Sequence, residues 1–256
     1  MNRSCLWLLL PLLIITGCAT RPTDPDDLLI YQQNNDPIEP FNRTVFKFND
    51  SADEYVLTPV IKGYRHIVPN PLREGIDNFF TNLKQPVYFV NAVLQADFSA
   101  AGSITGRFLV NSLLGFFGTV DAASSMNIPS IKRDFGQTLA VWGIKSSGPY
   151  LVLPLLGPST LRDTVGMGVD AFADPVDWAL YHRDPWIAWT RAGANGFISF
   201  DHAHDLMDNM KKNSTDYYAT MRSMYQQNRQ ETIRILRGDP APEVSFDFPD
   251  DDEEEE

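Results

Sequence analysis

The sequence predicts a mainly α-helical protein, on three observations. Alternating strand-like runs are scarce, Pro and Gly punctuate stretches of helical length, and apolar residues recur at three- and four-residue spacings. With 43% hydrophobic and 12% aromatic residues, a disordered or fibrous chain is excluded. A length of 256 residues allows one large domain or two small ones.

Arg3 precedes the apolar run Leu6-Trp7-Leu8-Leu9-Leu10-Pro11-Leu12-Leu13-Ile14-Ile15, with small residues after it. That order reads as a secretory signal peptide over residues 1–17. The run is too short for a bilayer, which takes ~20 residues. Ile15-Thr16-Gly17-Cys18 is similar to a bacterial lipobox, in which Cys18 takes the lipid and becomes the mature first residue. The alternative is an ordinary signal peptide that happens to hold a cysteine. Cys5 leaves with the signal, so the mature chain has no internal disulfide. Its stability must come from burial, a membrane or a partner. Two or three acyl chains on Cys18 would anchor it firmly, where a single chain binds only marginally. Ala19 follows the cysteine, and by resemblance to sorting in enteric bacteria this favours the outer membrane.

Residues 18–35 are expected to form a polar, lipidated tether, residues 36–238 the folded body, and residues 239–256 a disordered acidic tail. The tail carries ten acids and no base, so of the net charge of −12 only −2 belongs to residues 1–238. No basic surface is left for a nucleic-acid backbone. At the end of the body, Ser214-Thr215-Asp216 predicts the cap of a helix running to Arg237, with Gly238 and Pro240 as its stop.

Two segments depart from the usual amphipathic pattern. Over Leu83–Phe98, Lys84, Tyr88, Asn91 and Gln95 make one narrow polar stripe among apolar residues. Over Arg107–Val120, Arg107, Asn111, Gly115 and Thr119 do the same. A helix apolar nearly all round is either deeply buried or faces lipid. Phe108 to Val120 is charge-free for 13 residues, ~20 Å as helix, which reaches into one leaflet but does not span a bilayer. Ser146 to Leu161 is also charge-free, but Pro149, Pro154 and Pro158 break it into turns or bent pieces.

Catalytic patterns are wanting. His66, His182, His202 and His204 include no i, i+4 pair, and with no spare cysteine a transition-metal site has few candidate ligands. Neither a Gly-x-Ser-x-Gly elbow nor a P-loop occurs, and Gly166-Met167-Gly168 lacks the third glycine of a dinucleotide fingerprint. Asp163, Asp170, Asp174 and Asp177 are read as caps, turns and ion pairs rather than an acidic site. Nothing here calls for an enzyme, a cofactor or a metal.

Asp36-Pro37-Ile38-Glu39-Pro40-Phe41-Asn42-Arg43 with Phe46-Lys47-Phe48-Asn49, Tyr64 to Pro69, and Asn78-Phe79-Phe80-Thr81-Asn82-Leu83 occur in that order. Gly106-Arg107-Phe108-Leu109-Val110-Asn111-Ser112, Asp134-Phe135-Gly136-Gln137-Thr138-Leu139 and the stretch Gly148 to Asp163 follow. Behind a lipobox, this series resembles the MlaA (VacJ) family of outer-membrane lipoproteins. The resemblance implies a single ring-like helical domain embedded in one leaflet of the outer membrane, with a central amphipathic channel. It implies a protein that removes misplaced phospholipids from the outer leaflet and passes them to a periplasmic lipid carrier of the Mla pathway, beside a trimeric porin. An envelope phospholipase and a structural porin-associated lipoprotein are the alternatives.

On that reading Lys84, Asn91, Arg107 and Asn111 are candidates for the lipid path, although Arg107 can equally pair with an internal carboxylate. Gly115, Gly118, Gly143 and Gly148 are candidates for a gate or hinge. The chain departs from the family at Ile144-Lys145-Ser146-Ser147, where relatives have a shorter, glycine-richer turn, and at Ala96, where Gly is common.

Overall fold

The computed structural model describes residues 35–181 and 185–241. Cys18 with the signal and tether, His182, and the tail beyond residue 241 lie outside the described residues. Helix α1, Glu39–Ala52, opens with Pro40 in its first turn, where the missing N–H costs nothing. A π-helical turn, Asp53–Leu57, carries it into α2, Thr58–Ile67. Val68 turns extended because Pro69 follows it. Helix α3, Asn70–Leu94, tolerates Pro86 inside it. After Ala96, held at φ 57°, α4 runs Phe98–Leu113, capped by Asp97, whose carboxylate accepts the Ala100 N–H at 2.9 Å. Small residues let α3 and α4 close: Ala92, Ala100, Ala101 and Ile104 form one buried cluster with Tyr88 and Ile131 against it.

The short α5, Ala122–Ser125, and α6, Phe135–Val141, are capped by Asp121 and Asp134. A two-stranded antiparallel hairpin follows, β1 Tyr150–Leu153 and β2 Gly157–Thr160, with Tyr150 opposite Thr160. Then come α7, Leu161–Ala173, α8, Pro175–Tyr181, α9, Pro185–Asn213, and α10, Tyr217–Arg237. Helix α10 has the ends the sequence predicts, Asp216 as cap and Gly238 in the left-handed region at φ 69°.

A second core ties α1 and α10 to the hairpin: Val45, Tyr150, Val152 and Tyr218, flanked by Phe41, Phe46 and Tyr225. The buried Asn42 amide acts there as a piece of strand. Its nitrogen donates to the Asp36 carboxylate (2.7 Å) and the Tyr150 carbonyl (2.9 Å), and its oxygen accepts the Val152 N–H (3.0 Å). Asp36 also accepts from Arg222 at 2.9 Å and from the Tyr218 hydroxyl. The Asp36–Arg43 motif is thus a structural latch.

Two helix expectations are corrected. Leu83–Phe98 is not one helix but the end of α3 and the first residue of α4, divided at Ala96. Arg107–Val120 is helical only to Leu113; beyond it Phe116 (φ 50°) and Phe117 (φ 58°) turn the chain back. No described helix is long and apolar enough to cross a membrane.

The distribution of polarity is inverted. Among the described residues, more of the buried side chains are polar or charged than apolar. Meanwhile Phe89, Leu94, Leu113 and Phe116 are exposed, as are Leu109, Leu114 and Phe117. Large apolar side chains left exposed in this number mark a lipid or protein interaction face.

Candidate functional site

The polar interior opens as a cleft of about 270 Å³ between α3, α4, α9 and the 121–132 segment. Helix α3 contributes Asp77, Lys84 and Tyr88, α4 contributes Arg107 and Asn111, and α9 contributes His202. Opposite them stand Asp121 and Lys132.

The charges in this cleft are unequally matched. Arg107, 4% exposed, donates through Nη2 to Asp121 at 2.6 Å and through Nη1 to the Ile128 carbonyl at 2.6 Å. Asp121 also accepts from the Asn111 amide at 3.1 Å, and the Asn111 oxygen accepts the Ala123 N–H at 2.8 Å. Burial pushes the Asp121 carboxyl up, but the donors Ser124, Arg107 and Asn111 more than reverse this and hold it below the ordinary range. Of the two roles left open for Arg107, the structure therefore gives the internal ion pair. His202 faces Asp77 at 3.5 Å. Lys84 and Lys132, by contrast, have no carboxylate within ion-pair distance among the described residues, and neither ammonium has a hydrogen-bond partner among them. Burial, then the neighbouring charges of Lys132 and Arg191, pull the Lys84 ammonium below its usual value, and Asp77 opposes them only weakly. Burial likewise pushes the Tyr88 hydroxyl up to about 12.

Asn91 stands apart from this cleft. Its amide nitrogen donates to Asp170 at 2.7 Å and its oxygen accepts from the Thr138 hydroxyl at 2.8 Å, which also receives the Gln95 amide at 2.9 Å. The Asn91–Gln95 half of the first stripe thus faces α6 and α7. Asp170 additionally accepts the Phe135 N–H, and burial raises its carboxyl. The other acids are ion pairs. Arg229 bridges Asp134 and Asp163 at 2.6 and 2.7 Å, and Arg191 holds Asp174 at 2.7 Å together with Asp177. Among the described residues no cluster of three or more His, Cys, Asp or Glu is placed to hold a metal.

Of the four glycines, two stand where a side chain would collide with neighbouring atoms. A Cβ on Gly115 would meet the Val120 carbonyl at 2.1 Å and that of Asn111 at 2.5 Å; one on Gly118 would meet the Asn82 side chain at 2.6 Å. The turn they close is cross-braced, Gly118 N–H to Asn111 carbonyl at 2.8 Å and Val120 N–H to Gly115 carbonyl at 2.9 Å. It presents Phe116 and Phe117, 78% and 81% exposed, as a fixed knuckle. Gly148 abuts Leu161, with 2.9 Å to an added Cβ, while Gly143 has open space around it.

Sequence reasoning missed Lys132, Asp77 and His202 as cleft residues. Lys132 is in a loop where no period places it, and the stripe through Lys84 extended back along α3 would have reached Asp77 at i−7.

A family model for the MlaA lipoprotein matches residues 34–232. The intermembrane phospholipid transport system lipoprotein MlaA of Escherichia coli K12 is 34% identical over 217 residues, 83% of this chain and 81% of the relative. That of Haemophilus influenzae is 33% identical over 233 residues, 90% of each. An uncharacterised protein of Rickettsia prowazekii is 32% identical across 81% of each chain. A solved structure from work on the structural basis for maintenance of bacterial outer membrane lipid asymmetry superposes with a TM-score of 0.66. It is 35% identical, covering 77% of this chain and 98% of that one. With the helical body, the inverted polarity and the quoted motifs, these matches place the chain in the MlaA lipoprotein family.

Proposed function

We propose that this chain is an outer-membrane lipoprotein that takes mislocalised phospholipids from the outer leaflet and passes them to a periplasmic carrier, so keeping the membrane's lipid asymmetry. The single observation that carries this is the inverted polarity: a cleft lined by Lys84, Arg107 and Asn111 inside a body whose outer faces present Phe89, Leu113, Phe116 and Phe117. A head group crosses hydrocarbon only at high cost, because its charges lose their solvation there. A polar passage lowers that cost while the tails stay in apolar contact. The step is passive and moves lipid without bond chemistry.

Residues 1–17 serve as the signal peptide, and Cys18 carries the lipid that holds the body on the periplasmic side. Residues 18–35 are the tether, 36–238 the body and 239–256 a solvated acidic extension. A trimeric porin packs beside the apolar faces, and the carrier of the Mla pathway collects the lipid. In the candidate roles, Lys84 faces the head group, Arg107 and Asn111 shape the cleft wall, and Asn91 braces α3 from behind. Gly143 is the glycine with room to bend.

The test is complementation of a strain lacking this gene, with outer-leaflet phospholipid read by surface labelling. The wild-type chain should clear it, and the Cys18→Ala chain should not. Unchanged surface phospholipid on deletion would leave a bracing role for porins. Free fatty acid or lyso-lipid released by the purified protein would indicate a phospholipase.

A further inference from the structure

Between α10, the start of α7 and the 144–147 loop lies a second polar cleft, of about 330 Å³. Lys145, Arg162, Arg229, Arg234 and Arg237 line it, and Asp239 is the one carboxylate on its wall. Two of these cations are well held. Arg229 bridges Asp134 and Asp163, and Arg234 lies on Glu231 at 2.6 Å. The other three are poorly matched. Arg162 is 6% exposed, yet its Nη1 reaches the Ile144 and Lys145 carbonyls only at 3.3 Å. Its Nε stands 3.5 Å from Asp163 and has no hydrogen-bond partner among the described residues. Asp163 is drawn instead to Arg229 at 2.7 Å and to the Tyr225 hydroxyl at 2.8 Å. Arg237 meets Asp239 at 3.5 Å, and the exposed Lys145 has no carboxylate within ion-pair distance among the described residues. The cleft is short of negative charge.

The chain's own acids begin at the edge of this cleft. Gly238 turns the backbone so that the Asp239 N–H donates to the Arg234 carbonyl at 3.0 Å, and Arg234 Nη1 donates to the Asp239 carbonyl at 2.8 Å. The first acid of the tail therefore already stands on the cleft wall. Beyond residue 241 the sequence carries Glu243, Asp247 and the unbroken run Asp250–Glu256, with no base. Residues 242–256, ~50 Å when fully extended, are long enough to fold back across a cleft of this size. The family match ends at residue 232, and Lys145 belongs to the 144–147 loop, where the chain departs from the family pattern. Two features outside that pattern are thus opposite in charge and converge on one place. We propose that the acidic tail lies in this cleft, with Asp250–Glu256 against Lys145, Arg162 and Arg237. Tethering keeps the tail at high local concentration, so a series of exposed, individually weak pairs suffices to hold it. Its outer side stays hydrated, and while it lies there the cleft is closed to other anions. The inference stands apart from the transport reading.

The test uses the full-length protein in nonionic micelles, with a photo-crosslinking amino acid at Ser146, which is exposed and lines the cleft. Crosslinked peptides are read by mass spectrometry from the band of monomer size. Peptides from residues 242–256 should be recovered at low salt, and their yield should fall severalfold in about 1 M salt, where exposed charges are screened beyond ~3 Å. Lys145→Glu, at an exposed position, should lower the yield about fivefold, and so should replacing the acids of the Asp250–Glu256 run by Ser. As a second readout, Lys145 should react with an amine-reactive probe severalfold more slowly in the wild-type chain than in the chain whose acidic run is replaced. Equal crosslinking with and without the acidic run overturns the proposal, as does equal reactivity of Lys145 in the two chains. Crosslinks found only in bands of dimer size overturn it too, since the tail of a second copy would then fill the cleft. Crosslinks to co-purified lipid in place of the tail would give the cleft to an anionic head group and overturn it likewise.

Discussion

Asp121→Asn tests whether Arg107 belongs to the fold or to the ligand. The substitution keeps the shape and the capping oxygen but removes the charge, so α5 retains a good N-cap. What is lost is the counter-charge of a guanidinium that is 4% exposed and bonded at 2.6 Å. Breaking a fully buried pair costs about 3–5 kcal/mol. The Asp121 side chain is 29% exposed and Arg107 keeps the Ile128 carbonyl, so water and that bond soften the loss. The expected cost is about 2–3 kcal/mol, at the low end for a charge left buried. For a body of this size that corresponds to a fall in Tm of roughly 5–10 °C. Thermal melting followed by circular dichroism in detergent micelles reads it directly. Adding Arg107→Met to Asp121→Asn should cost less than the two separate losses added together, because removing the orphaned charge relieves part of the first penalty. A melting temperature for Asp121→Asn equal to that of wild type would refute the reasoning, and Arg107 would then be a free cation for phosphate.

Other outcomes follow from the same geometry. Gly115→Ala should cost about 3 kcal/mol or more by denaturant titration, since its Cβ would meet backbone oxygens at 2.1 and 2.5 Å, whereas Gly143→Ala, in open space, should cost only the ~1–2 kcal/mol of a left-handed residue. Ala96→Gly should stabilise by about 0.5–1 kcal/mol, because Ala96 sits at φ 57°, where glycine is unstrained. On acidification the body should lose stability from about pH 4 downward. Burial raises the Asp163 carboxyl, but Arg229 and Tyr225 bring it below its ordinary value, so its contribution is full above the unfolded pKa and disappears as the folded form is protonated. Asp163→Asn should flatten that acid limb, measured as the denaturation midpoint against pH.

What was legible in the sequence was local chemistry. Asp216 and Gly238 announce both ends of α10 because capping is decided by residues within one turn. The breaks at Ala96 and after Leu113 were hidden, since the residues that reverse the chain there, Ala96, Phe116 and Phe117, adopt left-handed backbone without being glycine. An apolar run gives no sign of where its helix stops when the turn itself is apolar. The polar stripes were legible as stripes, but a period fixes only which residues share a face, not what that face meets. Asn91 and Asn111, alike on paper, bond to Asp170 and Asp121 in different parts of the body. A substitution such as Asn111→Leu would therefore disturb the fold as well as the cleft, because it strips an acceptor from the Ala123 N–H and a donor from Asp121.

The inverted distribution also bears on what can hold the body together. In water, a molecule that buries Asn42, Gln85, Asn91 and Arg107 while exposing Phe116, Phe117, Leu113 and Leu114 forgoes much of the hydrophobic contribution to stability. The buried polar groups compensate one another through Asp36, Asp121, Asp163 and Asp174, each on an arginine. Such pairs fix geometry more than they add stability. The remaining term is the solvent outside. Against acyl chains the exposed rings lose their hydration cost, while the interior ion pairs keep their partners. Stability should therefore depend on the apolar environment more than on any single core residue. Transfer from a nanodisc to a short-chain zwitterionic detergent should lower the melting temperature of the wild-type chain. Replacing Phe116 and Phe117 together by Ser should shrink that difference, since these rings are among the most exposed apolar groups of the described residues. An unchanged difference in that double variant would mean that the knuckle faces protein, and that the apolar rim is a docking surface for a partner.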